Sequence, residues 1–247
     1  MSGFGAVYRR ELAGLFLAPL AWILLCVTLL FNGFFFRAVM ESSGGDINVT
    51  LVYMHQGPLW FLAIFLPPLL TMRMISEESR SGLLEFLLTA PVADGAVVSA
   101  KMLAATTFLG IAWLSIPLFA LLVHALGAPP DWGMVWTEWL GAVLVFGLLS
   151  SLGLVMSAVS GTPLVAAFLG ILGNVLLMVL PSAVRMVRGP LREPAEWLRD
   201  KIDVQAHYYG SFLTGAVDTA HLVFYVGWAA ALLFVATRLV ESKRWIG

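Results

Sequence analysis

The chain has 247 residues, 60% of them hydrophobic and only 12% charged, with a mean hydropathy of +0.91. Soluble domains average about 45–50% apolar and about 25% charged residues, so this composition belongs to an integral membrane protein. A formal net charge of −1 excludes a general nucleic-acid surface, and a single cysteine, Cys26, excludes a disulfide framework or cysteine metal site within the chain.

At about 20 apolar residues per crossing, the length leaves room for about six spans and little else. The sequence predicts an all-α integral membrane fold in a single transmembrane domain, residues 1–247. Backbone polar groups in lipid must be satisfied within each segment, and runs such as "AAFLGILGNVLLMVL" lack the alternation of a barrel.

In chain order, "FGAVYRRELAGLF" predicts an interfacial elbow helix, with Phe4, Val7 and Leu15 on one side and Tyr8, Arg9, Arg10 and Glu11 in its middle. Spans are expected at 15–36, 58–75, 97–126, 140–159, 163–184 and 219–239. The first is too long and too late for a cleaved signal peptide.

Between the second and third spans stands "MISEESRSGLLEFLLTAPVADG". Read as one helix over 77–90, it places Leu83, Phe86, Leu87 and Ala90 on one face, widened by Leu84 and Leu88. Glu78, Glu85 and Thr89 lie opposite. Ser76, Glu77 and Glu78 form a helix start, and Pro91 with Asp94-Gly95 a stop. Lipid anchoring favours basic polar faces, and this one is acidic, so a protein partner explains it better.

"SGTP" at 160–163 reads as a tight turn, with Pro163 opening the fifth helix. Gly141, Gly147, Gly153, Gly170 and Gly173 suit close helix contacts. Asn32 and Asn174 are candidates to line a path, with interhelical hydrogen bonding as the plainer reading. In the segment before the last span, "EPAEWLRDKI" predicts a short amphipathic helix and "HYYGSFLTGAV" an interfacial or re-entrant one, with Asp218 capping the sixth span.

Six spans put both termini on one side, with Arg9, Arg10, Arg73, Arg80, Lys101, Arg238, Lys243 and Arg244. The other side holds Arg37, Arg185, Arg188, Arg192, Arg199 and Lys201, the last five in a loop balanced by Glu193, Glu196, Asp200 and Asp203. The first loops therefore decide, and they place both termini in the cytoplasm.

No catalytic residues are expected. Acids lie in loops or at span ends, and Ser115 and Ser157 lack a nearby base. No metal site is expected from four histidines, His55, His124, His207 and His221, without paired spacing. No GxxxxGK[ST] loop is present, so an energy source must be another chain.

The order "YRRELAGLFLAPLAWILL", "SEESRSGLLEFLLTAPVADGAVVSAK", "GAPPDWG", "HYYGSFLTGAVDTAHLVFY" and "RLVESKRW" resembles the permease subunits of type-2 ATP-binding-cassette (ABC) transporters over nearly the whole chain. Within them it is most similar to the gliding-motility and nitrous-oxide-reductase-maturation branch. The most specific piece, EExRxGxLExLLTxPV followed by a lysine, is met by Glu77, Glu78, Arg80, Gly82, Leu84, Glu85, Leu87, Leu88, Thr89, Pro91, Val92 and Lys101. Leu83 stands where the family commonly has threonine.

The resemblance implies a permease in a bacterial inner membrane, coupling ATP hydrolysis elsewhere to export or conformational work; the alternative is a non-transporting anchor of an assembly complex. It implies two copies of a cytoplasmic ABC ATPase that carries the ATP and Mg, with none bound here. It further implies a second permease subunit, identical or related, and leaves room for an extracytoplasmic accessory protein. The residues Glu77 to Pro91 in that motif correspond to the family's ATPase-coupling helix.

Overall fold

The structure, a computed structural model, describes residues 3–83, 92–185 and 191–243. Among them there is no strand, and six helical segments are long and apolar enough to cross a membrane. Helix α1 (Gly3–Leu17) ends at Ala18, whose extended backbone is what the following proline enforces. Pro19 then opens span 1, α2 (Pro19–Ser42), at a position where its missing N–H is no loss. Span 1 thus starts four residues later than expected, because α1 occupies the first of the apolar run.

Span 2 (Ile47–Arg80) is built from three helices, α3 (Ile47–Met54), α4 (Gln56–Thr71) and α5 (Ser76–Arg80). Span 3 (Asp94–Ala125) joins α6 (Asp94–Ala112) and α7 (Ser115–Ala125) through a break at Trp113-Leu114. Span 4 is α8 (Trp132–Val159), capped by the Asp131 carboxylate, which accepts from the amides of Gly133 and Met134. That cap starts the helix eight residues before the expected boundary at 140, a difference with consequences for Glu138. Span 5 is α9 (Pro163–Val184), as expected, with the Thr162 hydroxyl accepting from Val165 N.

Two short helices follow, α10 (Arg192–Ile202) and α11 (Val204–Ser211), then a 3-10 turn (Phe212–Thr214). Span 6 is α12 (Thr219–Lys243), at whose start Asp218 Oδ1 accepts from Ala220 N. The amphipathic stretch expected at 193–202 is helical, and the expected helix at 207–217 is helical as far as Thr214.

Spans 2, 3 and 4 form the centre. Their most apolar windows are 67%, 56% and 67% buried, against 11%, 28% and 17% for spans 1, 5 and 6, which leave broad faces outward. Span 4 is the axis on which spans 2, 3, 5 and 6 all pack.

One junction explains several residues at once. Pro67 and Pro68 lie inside α4, and a proline at position i leaves the carbonyl at i−4 without its amide. The orphans are Ala63 O and Ile64 O. Asn174 of span 5, fully buried, donates Nδ2 to both, at 3.1 and 3.2 Å. One turn earlier, Gly170 makes the close approach possible: a Cβ there would lie 2.9 Å from Pro68 Cβ. The asparagine and glycine of span 5 form a mating face for the double proline of span 2.

Candidate functional site

Lys101 lies two turns into span 3 and is 1% exposed, a burial tolerated only with a partner. Its Nζ stands 2.9 Å from Glu11 Oε1 and 2.8 Å from Glu78 Oε1. Arg10 Nη2 reaches the same two oxygens, at 2.5 and 2.8 Å. Two cations thus face two carboxylates, and the formal charge cancels across α1, α5 and α6. Burial pushes the Glu11 carboxyl up, but Lys101 and Arg10 more than reverse that, so it titrates below the ordinary carboxylate range. Burial of Arg10 acts to lower its affinity for the proton, and Glu11 and then Glu78 raise it above normal.

The same segment is held from two further spans. Where span 2 unwinds between α4 and α5, the Ser157 hydroxyl of span 4 accepts from the amides of Ile75 and Ser76, at 3.2 and 3.1 Å. It donates to Met72 O at 3.0 Å. Lys243, last residue of span 6, donates to Ser79 Oγ at 3.1 Å. Tyr8 of α1 donates to Thr107 Oγ1 of span 3 at 3.0 Å. The short α5 is therefore fastened to α1 and to spans 3, 4 and 6.

The structure divides the expected coupling residues. Glu78 turns inward into the charge cluster, while Glu77 pairs on the surface with Arg73 at 3.7 Å. Arg80 and Leu83 are exposed. A single helix over 77–90 is not what forms at its beginning: α5 ends at Arg80 and the chain turns at Gly82, whose φ of +76° suits glycine. Leu84, Glu85, Leu87, Leu88, Thr89 and Pro91 lie outside the described residues. In α1, Tyr8, Arg10 and Glu11 point to the site and Arg9 is exposed.

Asn32 is buried and donates to Ser115 Oγ of span 3 at 2.8 Å; Asn174 meets the proline carbonyls. Both make interhelical hydrogen bonds.

At the opposite end, Glu138 corrects the expectation that acids keep to loops and span ends. Because span 4 begins at Trp132, Glu138 is nearly two turns inside it, 1% exposed, with Oε1 3.5 Å from His55 Nδ1. His55 is the residue at which span 2 breaks between α3 and α4. The histidines also pair where spacing gave no hint: His207 and His221 bring their Nδ1 atoms to 2.7 Å, and His207 stacks on Phe224 with centroids 3.8 Å apart. Lys101 carried a readable signal, a lysine beside an apolar run that needs a counter-ion. The His207–His221 pair carried none, since it depends on how α11 folds back on span 6.

Comparison with known families supplies what this geometry alone does not. The family described as ABC-2 family transporter protein matches residues 17–226, from the end of α1 into span 6. No curated protein matches the chain. With six membrane-crossing helices and a family match over most of its length, the chain belongs to the ABC-2 transporter family, as a multi-pass, non-catalytic permease component of an ABC transporter.

Proposed function

We propose that this permease takes up the work of ATP hydrolysis through residues 77–91 and spreads it into the bundle through the Arg10–Glu11–Glu78–Lys101 cluster. The observation that carries the reading is the convergence of three segments on Lys101. Span 2 leads directly into the motif-bearing segment and span 3 leads directly out of it, while α1 clamps both. A push on that segment then moves spans 2 and 3 with α1 as one unit, since separating them would strand buried charges. The reading places α1, the motif and both termini in the cytoplasm of a bacterial inner membrane, beside two ATPase subunits that bind ATP and Mg. A second permease subunit completes the complex, and the branch it resembles joins gliding motility and enzyme maturation.

The test is co-purification with a co-expressed candidate ABC ATPase that the wild-type chain retains. The double variant Glu85→Lys/Leu88→Lys is expected to insert in the membrane at wild-type levels and to lose the ATPase from the pull-down. Recovery of the ATPase at wild-type levels by that variant overturns the assignment.

A further inference from the structure

Spans 5 and 6 each pack along span 4 more than along each other, which leaves a crevice between them. Its floor is Leu152 and Met156 of span 4, its walls include Leu176 of span 5 and Phe224 of span 6, and its volume is about 250 Å³. The surface is apolar throughout. Ile202 and Val204, from the junction of α10 and α11, close it at one end. That roof is fixed, because the Trp228 indole of span 6 donates to Lys201 O at 3.0 Å.

The lining offers almost no polar surface, so the part of an occupant that enters it is apolar, as an acyl chain is.

Phe224 and Trp228 also line a second, wider hollow on the other side of the roof, where Asp200, Lys201 and His207 stand. Asp200 is occupied by Arg199, at 2.8 Å. Among the described residues no carboxylate pairs with Lys201, which is exposed. The rim therefore carries one uncompensated positive charge beside the mouth of an apolar slot. A tryptophan stands between them, the residue that favours the boundary between headgroups and hydrocarbon.

We propose that this crevice is a binding site for one anionic glycerophospholipid, with an acyl chain between spans 5 and 6 and the headgroup phosphate at Lys201. The inference rests on the membrane-spanning fold and not on the coupling role of residues 77–91. The lipid stands between two spans that make little direct contact with each other, so its presence sets their separation.

The full chain, purified in mild detergent from vesicles of phosphatidylethanolamine and phosphatidylglycerol in a 3:1 ratio, is examined by native mass spectrometry. The wild type is expected to retain one phospholipid per chain, enriched about five-fold in phosphatidylglycerol over the vesicle composition, as one basic residue near anionic lipid provides. Gly173→Leu, which directs bulk into the slot from span 5, is expected to lose it. Lys201→Glu is expected to keep a lipid but lose the enrichment. Equal retention by Gly173→Leu overturns the crevice, and undiminished enrichment in Lys201→Glu overturns the headgroup contact.

A second measurement covers a misfolded Gly173→Leu. In bilayers with brominated acyl chains, wild-type tryptophan fluorescence is expected to be quenched more than that of Trp228→Phe. Equal fractional quenching overturns the proposal.

Discussion

Lys101 shows what a single residue can demand of a membrane protein. Its ammonium is buried, and removing it leaves Glu11 and Glu78 close together with Arg10 as their only cation among the described residues. Breaking a buried network on one side costs about 3–5 kcal/mol, whereas replacing the whole network by apolar groups of similar size is often neutral. Lys101→Met is accordingly expected to lower thermal stability in detergent by an amount of that order. The quadruple variant Arg10→Met/Glu11→Leu/Glu78→Leu/Lys101→Met is expected to recover most of it while losing permease-stimulated ATP hydrolysis in the reconstituted complex. The pH dependence has a definite sign. Glu11 titrates below its unfolded value, so its contribution is complete above about pH 4.3 and is lost as pH falls through the depressed value. Unfolding followed between pH 6 and pH 3 checks this: Glu11→Gln should flatten the acid limb. The residue types at this site were legible as a motif, but its inward-facing half was not. Helical spacing put Glu78 on a polar face beside Glu85, and only the turn at Gly82 shows that the two need not belong to one helix.

At the level of elements, span 2 is the least regular part of the molecule and the most heavily supported. It breaks at His55, loses two backbone hydrogen bonds at Pro67 and Pro68, and unwinds again before α5. The proline carbonyls are met by Asn174 of span 5 and the unwound turn by Ser157 of span 4, while Glu138 of span 4 stands 3.5 Å from His55 at the first break. Asn174→Leu strands two buried carbonyls at about 1–3 kcal/mol each. In a Pro67→Ala/Pro68→Ala background those carbonyls regain amide donors, so the same substitution is expected to be much milder. A thermal-denaturation cycle measures the difference, and additive effects would count against the pairing. The number and order of the spans were legible because each run is long and apolar, but not the breaks inside spans 2 and 3. Boundaries were legible where capping chemistry is local, as at Thr162-Pro163. Span 4 was drawn too short because Glu138 looked like its edge, and its partner, His55, lies 83 residues away in sequence. Such a pairing leaves no periodic trace.

For the whole molecule, six spans place α1 and the end of span 6 at the same end of the bundle, with α10 and α11 at the other. In a Cys26→Ser background, cysteines introduced at Ser242 and at Glu196 are expected to react with a membrane-impermeant maleimide from opposite sides, with Ser242 reached only from the cytoplasm. Labelling of both from one side would refute the six-span topology. The inner trio of spans 2, 3 and 4 forms the buried centre, and the outer trio of 1, 5 and 6 reaches into it through Asn32 and Asn174 while presenting broad apolar faces outward. The charge cluster has a consequence for how the chain is made. Arg10 and Glu11 leave the ribosome 68 and 90 residues ahead of Glu78 and Lys101, their partners. Through synthesis of the first two spans, α1 has no lysine to dock against, and Glu78 adds a second acid to an unfinished site. Only when span 3 is inserted does the account of charge close. A nascent chain stalled before Lys101 thus holds two carboxylates that share, among the described residues, the single cation Arg10, and α1 lacks the lysine that ties it to span 3.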